Sequence, residues 1–308
     1  MPYKHKIAVI GAGAVGASIA YACVLTKVPA NVVMVDVDKR MVEGQVLDLS
    51  DVGFLSPVPV SVGTVKEAGQ CDIIVITAGA KQRPGEPRSE LVERNRTILK
   101  SVIDGMQPIR KDAIMILVAN PVDVLTYLAQ QLSGLPRKQV FGSGTFLDSM
   151  RLRGYLADKL QVQQNALHCY VLGEHGDRQF VGWSTANIGC TPLLSHPLMK
   201  DVDLATIERQ VMRKAYEIID RKGATCFGIG GCVASLCNSV LNDRRDVRPV
   251  SCWDEKHQVC LSTPASVGID GIEEVLEMPL NEREQKAMDV AVKAIKDACQ
   301  RYSNEETA

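Results

Sequence analysis

The sequence predicts an α/β fold in which a doubly wound parallel sheet is followed by an α+β domain. In the first half, short apolar runs are continuous rather than alternating, as in strands that are buried on both faces. These runs alternate with segments of helical periodicity, and a repeated order of strand, helix and strand favours a parallel sheet covered by helices. The predicted strands are residues 7–10, 32–35, 73–76 and 114–118, with a shorter strand at 58–62.

Helices are expected between these strands and through much of the second half. After about residue 143 the pattern changes to a helix, an apolar run at 168–172, turn-rich segments and two long helical patterns. The last pattern places Ala287, Ala291 and Ile295 on one stripe, so we expect it to dock on the body. Because no low-complexity linker is present, we expect domains 1–143 and 144–308 to share a wide interface. The predicted helices are 15–27, 39–49, 89–106, 122–131, 146–160, 203–222 and 281–301.

The charge balance of the 308-residue chain excludes several classes of partner. With 35 basic and 36 acidic side chains the net charge is −1, which leaves no electrostatic footprint for nucleic acid or an anionic membrane surface. No uninterrupted apolar stretch is long enough to span a bilayer. The first residues run directly into a strand pattern and leave no room for a signal peptide, so we expect a cytoplasmic protein.

The ten cysteines are scattered along the chain, and none forms a CxxC pair. A disulfide framework is typical of small secreted domains, and structural zinc needs four ligands in closely spaced pairs. Several of the thiols lie inside apolar runs, where a free cysteine packs as a small hydrophobic residue. We therefore expect buried free thiols and no metal site.

A glycine-rich motif follows the first predicted strand and opens the first helix, with Gly11, Gly13 and Gly16 in the spacing GxGxxG around Val15. The first glycine permits the tight turn, the second admits a pyrophosphate, and the third lets helix and strand pack closely. Asp36 lies 20 residues after Gly16 at the end of the second strand, where it can hydrogen-bond a ribose diol. A plain βαβ turn with a surface aspartate is the alternative, but four matching features favour a Rossmann-type dinucleotide site.

Asp36 also bears on the choice of cofactor. A carboxylate at this position repels the 2′-phosphate of NADP, whereas an arginine would bind it. Lys39 and Arg40 follow closely and weaken the argument, yet NAD remains the favoured cofactor.

A histidine between glycines, His175 in the segment Gly-Glu-His-Gly-Asp, follows an apolar run. Histidine has an unperturbed pKa of about 6.5, which suits proton exchange near neutral pH. Asp148 and Arg151 are three residues apart on one predicted helix and so share a face. One could orient an imidazole while the other grips a carboxylate, although by spacing alone an intrahelical salt bridge is the better explanation. Asn120 and Asp123 follow the strand at 114–118, at the edge where such sheets bind ligands.

These motifs together resemble the lactate/malate dehydrogenase family over essentially the whole chain, and within it the bacterial-type L-lactate dehydrogenases that lack an amino-terminal arm. The resemblance implies that His175 exchanges the substrate proton, that Asp148 holds and balances it, and that Arg151 binds the substrate carboxylate. It implies that Arg88, at the end of a mobile loop, polarises the substrate carbonyl, and that Asn120, Asp123 and Thr225 complete the substrate pocket. The implied cofactor contacts also include Gly79, Ala80, Lys81, Val118, Asn120, Ser143 and Ile229.

The resemblance predicts reversible hydride transfer between NADH and pyruvate, giving (S)-lactate. Malate dehydrogenase, or another L-2-hydroxyacid dehydrogenase, is the first alternative, and a dinucleotide-binding protein without turnover is the second. Gln82 favours pyruvate, because the malate enzymes of the family carry arginine there to balance a second carboxylate.

The family further implies a homotetramer and an effector site for fructose 1,6-bisphosphate, at positions matched by Arg153 and His168. Two residues depart from the family pattern: Met150 stands where a small residue is usual, and Pro87 stands where serine or threonine is usual before the loop arginine.

Overall fold

Strands and helices alternate strictly through the first half of the chain, as its apolar runs predict. The computed structural model of the chain describes residues 3–80 and 88–303. Up to residue 142 the elements are β1 (His5–Ile10), α1 (Ala14–Leu25), β2 (Ala30–Val35), α2 (Lys39–Ser50), β3 (Val60–Val62), α3 (Val65–Ala68), β4 (Ile73–Ile76), α4 (Arg88–Met106), β5 (Ile114–Leu117), α5 (Val122–Leu132) and β6 (Val140–Gly142).

The strands of this half form a parallel sheet in the order β3-β2-β1-β4-β5-β6. Ile7 of β1 lies opposite Val32 of β2 on one side and Ile73 of β4 on the other. Every residue of β4 and β5 is buried, which is why these strands read as unbroken apolar runs. The strand order reverses between β1 and β4, and doubly wound sheets open a ligand crevice at the carboxyl ends of such a pair. The predicted doubly wound sheet is confirmed.

The second half mixes helices with short antiparallel strands. Its elements are α6 (Phe146–Leu160), β7 (Leu167–His168), β8 (Val171–Gly173), β9 (Gln179–Val181), β10 (Asn187–Ile188), β11 (Thr191–Pro192), α7 (Leu204–Lys222), α8 (Phe227–Leu241), β12 (Asp246–Asp254), β13 (Val259–Gly268), β14 (Gly271–Val275) and α9 (Glu282–Ser303).

One sheet runs through both halves of the described chain. Gly142 at the end of β6 pairs with Ser251 of β12 in antiparallel fashion, and the sheet continues through β13, β8 and β9. The sequence did not predict the hairpin of β12 and β13. The buried positions of β13 include Ser262 and Thr263, so polar residues interrupt the apolar pattern by which a strand is recognised.

The apolar run at 168–172 is divided between two sheets. His168 of β7 pairs with Asn187 in a small sheet of β7, β10 and β11, whereas β8 joins the large sheet. Cys169 and Tyr170 lie between the two strands. An unbroken run of apolar residues therefore does not show where the chain changes its partner strand.

Helix α8, also absent from the sequence prediction, packs across α1. At Gly230 of α8 an added Cβ would lie 2.6 Å from the backbone oxygen of Ser18, so the two helices approach at backbone distance. Helix α9 docks as predicted through one stripe, in which Ala291 and Ile295 are at most 1% exposed. These contacts attach both helices firmly to the sheet.

The cysteines are free thiols, and all are buried except Cys190. This confirms the expectation of core thiols for the other nine. Among residues 3–80 and 88–303, no helix is both long and apolar enough to cross a membrane.

Replacing Gly230 with alanine should destabilise the fold, because the added Cβ would force α1 and α8 apart. Overpacking of this kind typically lowers the free energy of unfolding by ~1–3 kcal/mol. The matched control is Gly231→Ala on the same helix, where no described atom lies within 4 Å of the added Cβ. That change should stabilise the protein by ~0.5–1 kcal/mol. Urea unfolding followed by circular dichroism measures both variants, and equal effects would contradict the close helix contact.

Candidate active and cofactor site

The glycine turn after β1 meets the three requirements that its sequence suggested. Gly11 has a φ of +103°, and a Cβ there would lie 2.6 Å from Oγ1 of Thr77. A Cβ on Gly16 would lie 1.8 Å from the backbone oxygen of Gly11, so any side chain would break the turn. At Gly13 the space is open, with no described atom within 4 Å of an added Cβ. The turn is therefore closely packed at Gly11 and Gly16 and open at Gly13, on the side where a ligand would approach.

The open side of the turn is also the amino terminus of α1. Gly13 is its N-cap and supplies no side-chain hydrogen bond, and the amide of Ala17 is bonded to the backbone oxygen of Gly13 at 2.9 Å. The amides between these residues have no intrahelical acceptor, because the first turn of a helix offers none. Free amides and the helix dipole favour a phosphate group at this point. The residues present thus fit the pyrophosphate of a dinucleotide.

Asp36 at the end of β2 lies directly against the glycine turn. Its Oδ2 accepts a hydrogen bond from the amide of Ala12 at 2.6 Å, and its Oδ1 accepts one from the amide of Asp38 at 2.9 Å. Sequence analysis expected a ribose contact and did not foresee that the same carboxylate would fix the turn. Because each carboxylate oxygen can accept more than one hydrogen bond, the structural contacts leave capacity for a ribose diol.

The other candidate cofactor residues follow the carboxyl ends of neighbouring strands. Val118 continues β5, with its amide bonded to the oxygen of Ile76 at 2.9 Å, and Ser143 continues β6, with its amide bonded to the oxygen of Leu117 at 2.8 Å. Gly79 follows β4. The predicted contacts thus line one edge of the sheet, next to the glycine turn.

Asn95 joins two parts of this edge, and sequence analysis missed it. The side chain is 2% exposed; its Oδ1 accepts a hydrogen bond from the amide of Ala80, and its Nδ2 donates one to the oxygen of Asn120, both at 2.6 Å. It lies on the apolar stripe of α4, four residues from Leu91 and from Leu99. A lone amide on such a stripe is the signal that could have identified it.

Two side chains of the α6 region hold β8 in place. Oγ1 of Thr145 donates to the backbone oxygen of Val171 at 2.5 Å, and Oγ of Ser149 accepts from the amide of Val171 at 2.8 Å. Both polar groups of one strand residue are therefore tied to α6. His175 follows β8 by two residues, so these bonds also set its position relative to Asp148 of α6.

Asp148 binds His175 and Arg151 at once. Its Oδ2 lies 2.9 Å from Nδ1 of His175, and its Oδ1 accepts a hydrogen bond from Nη1 of Arg151 at 3.0 Å. The carboxylate is 3% exposed and the Arg151 side chain 8%, whereas 27% of the His175 side chain reaches solvent. The intrahelical salt bridge therefore coexists with the contact between Asp148 and the histidine.

The electrostatics favour a protonated imidazole. Burial by itself would lower the pKa of His175, but the charge and hydrogen bond of Asp148 outweigh it and raise the pKa above the ordinary value. Burial likewise works to raise the pKa of Asp148, and the contacts to His175 and Arg151 reverse the effect and lower it. The carboxylate therefore remains charged while the ring holds a proton.

Asp123, expected to contact substrate, instead lies behind His175. It is 2% exposed, and its Oδ2 accepts a hydrogen bond from the backbone amide of His175 at 2.8 Å. Thr225 and Ile229 are half-buried on either side of the start of α8. Lys81 and Gln82 lie outside the described residues.

The remaining predicted residues lie at varied exposures. Arg88 begins α4, but its side chain is outside the described part of the structure. Arg153 is 9% exposed, donates from Nε to the oxygen of Cys169 at 3.2 Å and stacks on Tyr170, with its guanidinium carbon 4.9 Å from the ring centroid. His168 is exposed on β7.

Comparison with known proteins agrees with this geometry. Residues 5–142 match the family described as lactate/malate dehydrogenase, NAD binding domain, and residues 145–306 match its alpha/beta C-terminal domain. L-lactate dehydrogenase A of Rhizopus oryzae is 49% identical over 96% of this chain and 92% of its own length. L-lactate dehydrogenase of Latilactobacillus sakei subsp. sakei is 39% identical over 95% of this chain and 93% of its own.

Solved structures show the same likeness. The minor L-lactate dehydrogenase of Enterococcus mundtii, solved in a ligand-bound form, superposes with a TM-score of 0.93 at 34% identity and covers 98% of this chain and 99% of that one. The two family matches together span nearly the whole sequence. The chain therefore belongs to the lactate/malate dehydrogenase family.

Proposed function

We propose that the chain is an NAD-dependent L-lactate dehydrogenase, which interconverts pyruvate and (S)-lactate. The observation that carries the proposal is the buried Asp148 carboxylate, bound to His175 on one oxygen and to Arg151 on the other. This arrangement places a proton donor and a carboxylate-binding cation side by side, which a 2-oxoacid requires. The names of the relatives support the same reaction.

His175 supplies the proton in the reduction of the ketone. Because Nδ1 of its ring faces Asp148, the other nitrogen, Nε2, faces the substrate oxygen. The raised pKa favours the protonated ring, which can donate as negative charge grows on that oxygen. When bound, NADH supplies the hydride to the carbonyl carbon. In the reverse direction the neutral ring accepts the hydroxyl proton of lactate.

Arg151 binds the substrate carboxylate. One of its five N–H groups donates to Asp148, and the planar guanidinium retains donors for a two-pronged contact with the substrate. Arg88 would polarise the carbonyl from the end of the loop, with Asn120 and Thr225 lining the pocket. We assign Asp123 to the support of His175 in place of the substrate contact expected from the sequence, since its carboxylate is buried.

The loop glutamine directs the choice of substrate. Arg88 lies nine positions after Gly79, and the resemblance to the family implies that Gln82 of this segment faces the third carbon of the substrate. A neutral amide suits the methyl group of pyruvate and leaves the second carboxylate of oxaloacetate without a counter-charge. This residue favours the lactate reaction over the malate reaction of the same family.

The protein should also assemble and respond to an effector. We propose a homotetramer with fructose 1,6-bisphosphate bound near Arg153 and His168, where paired subunits would concentrate positive charge. Because Arg153 is largely buried within its own chain, the exposed His168 is the more accessible of the two. Pyruvate saturation curves that do not change on adding the bisphosphate would contradict this assignment.

The two-domain division, with its boundary near residue 143, and the cytoplasmic location belong to the same proposal. The free thiols fit a reducing compartment.

With pyruvate present, the purified protein should oxidise NADH, which is measured as a loss of nicotinamide absorbance. His175→Asn should reduce turnover by ~10²–10⁴, because it removes the general acid. NADH fluorescence should show nearly unchanged cofactor binding in that variant. A wild-type protein that binds NADH but does not oxidise it with pyruvate or oxaloacetate would be a binding protein, contrary to the proposal.

Gln82→Arg should shift kcat/KM strongly from pyruvate toward oxaloacetate, because it supplies the missing counter-charge. The matched control is Arg83→Gln, which removes the neighbouring cation. From the sequence alone we expect side chains to alternate along this loop and that arginine to point away from the substrate, so the control should leave the preference unchanged. A wild-type enzyme that already prefers oxaloacetate would overturn the lactate assignment while leaving hydride transfer intact.

A further inference from the structure

A second carboxylate lies behind the catalytic histidine. Asp123 is in the first turn of α5, and its side chain is 2% exposed. One oxygen, Oδ2, accepts the backbone N–H of His175 at 2.8 Å, whereas Oδ1 has no hydrogen-bond partner among the described residues. Buried carboxylate oxygens are normally bonded, so an unpaired one next to an active-site residue calls for an explanation.

The two strands that pack against α5, β12 and β13, carry a pair of buried serines. Ser251 of β12 and Ser262 of β13 are cross-strand neighbours, both fully buried, and each hydroxyl lacks a partner among the described residues. The backbone of Gly144 packs closely against these serines, since a Cβ added to Gly144 would lie 2.7 Å from Oγ of Ser262. The hydroxyl of Ser251 nevertheless lies near the carboxylate of Asp123, without a well-formed hydrogen bond to it, and this proximity favours the ionised form of Asp123.

The charged and titratable groups that face Asp123 come from three sides. The turn after β8 contributes His175, which favours the ionised carboxylate, and Glu174, which opposes it. Glu174 is itself paired with Arg178 at 3.1 Å. Three thiols on β12, β13 and α9 interact electrostatically with Asp123: Cys252, Cys260 and Cys299. Burial raises the pKa of each, so they remain neutral near pH 7.

We propose that Asp123 is a positioning residue: its carboxylate accepts the backbone N–H of His175 and so holds the turn that contains this histidine. The negative charge of Asp123 also strengthens the hold of the imidazole on its proton. The inference rests on the proposed function only in calling His175 the acid/base group. His175 is then governed by two carboxylates, with Asp148 at the ring and Asp123 at the main chain.

The ionisation of Asp123 gives this arrangement a pH dependence. Burial raises the pKa of Asp123 to about 6, despite opposing contributions from Ser251 and from the His175 backbone. The charge of Asp123 raises the pKa of His175. Two other effects on that pKa are larger: burial, which lowers it, and Asp148, which raises it. Below about pH 6 Asp123 becomes neutral, so the support it gives to the protonated ring is lost.

The test is Asp123→Asn, which keeps the shape of the side chain but removes its charge. Histidines labelled with ¹³C at Cε1 are titrated by NMR in the cofactor-free enzyme, and His175→Asn identifies the resonance. We expect the pKa of His175 to fall, so that its acid dissociation constant rises roughly three- to tenfold. This is near the lower end of the effects that a neighbouring opposite charge has on a pKa. The pH above which pyruvate reduction declines should fall in parallel, because fewer rings are protonated.

Ser251→Ala provides the matched control and works even where Asp123→Asn fails to fold. In the wild type, the His175 resonance should show a second inflection near pH 6 as Asp123 loses its proton. Removing the hydroxyl that favours the ionised carboxylate should move this inflection to higher pH. An unchanged His175 titration in folded Asp123→Asn, or a wild-type curve with no second inflection, would overturn the proposal. Failure of the proposed function would appear separately, as absent pyruvate reduction by wild-type enzyme.

Discussion

The site depends on one buried charge, the carboxylate of Asp148. Burying an ion without partners is expensive, and truncating one member of a buried pair leaves the other uncompensated. Asp148 avoids this cost by binding His175 and Arg151 on separate oxygens. Its pKa is lowered in the fold, against the opposing effect of burial, so its charge stabilises the folded state at neutral pH. This contribution is lost progressively as the pH falls below the ordinary pKa of an aspartate and through the lowered pKa of Asp148.

The surrounding structure brings this carboxylate and the histidine to a fixed separation. Thr145 and Ser149 tie β8 to α6, and Asp123 ties the following turn to α5. On the other side of the crevice, Asp36 closes the glycine turn and Asn95 connects Ala80 with Asn120. In each case a polar side chain, buried except for the half-buried Asp36, bonds to backbone from a distant part of the chain. Such bonds fix a substrate and a dinucleotide site relative to one sheet edge.

Sequence reasoning succeeded where the requirement is local. The glycines at 11, 13 and 16 are dictated by a turn, and the apolar runs by strands buried on both faces. It missed β12 and β13, whose buried polar residues interrupt the apolar pattern, and α8, which begins with three glycines in five residues. It also missed Asn95 and assigned Asp123 to the substrate, because nothing in the local sequence shows which distant backbone group a polar side chain will meet. The resemblance supplied the role of His175, which its own segment could only suggest.

The most direct test of this account is the pKa of His175 in the wild type and in Asp148→Asn, measured by NMR titration of the cofactor-free enzyme. The structure predicts a wild-type pKa above the ordinary value of about 6.5. In the variant, burial is no longer outweighed by the carboxylate, and the pKa should fall below that value. A wild-type histidine that titrates at or below its ordinary pKa, or one unaffected by Asp148→Asn, would contradict the central role of this carboxylate.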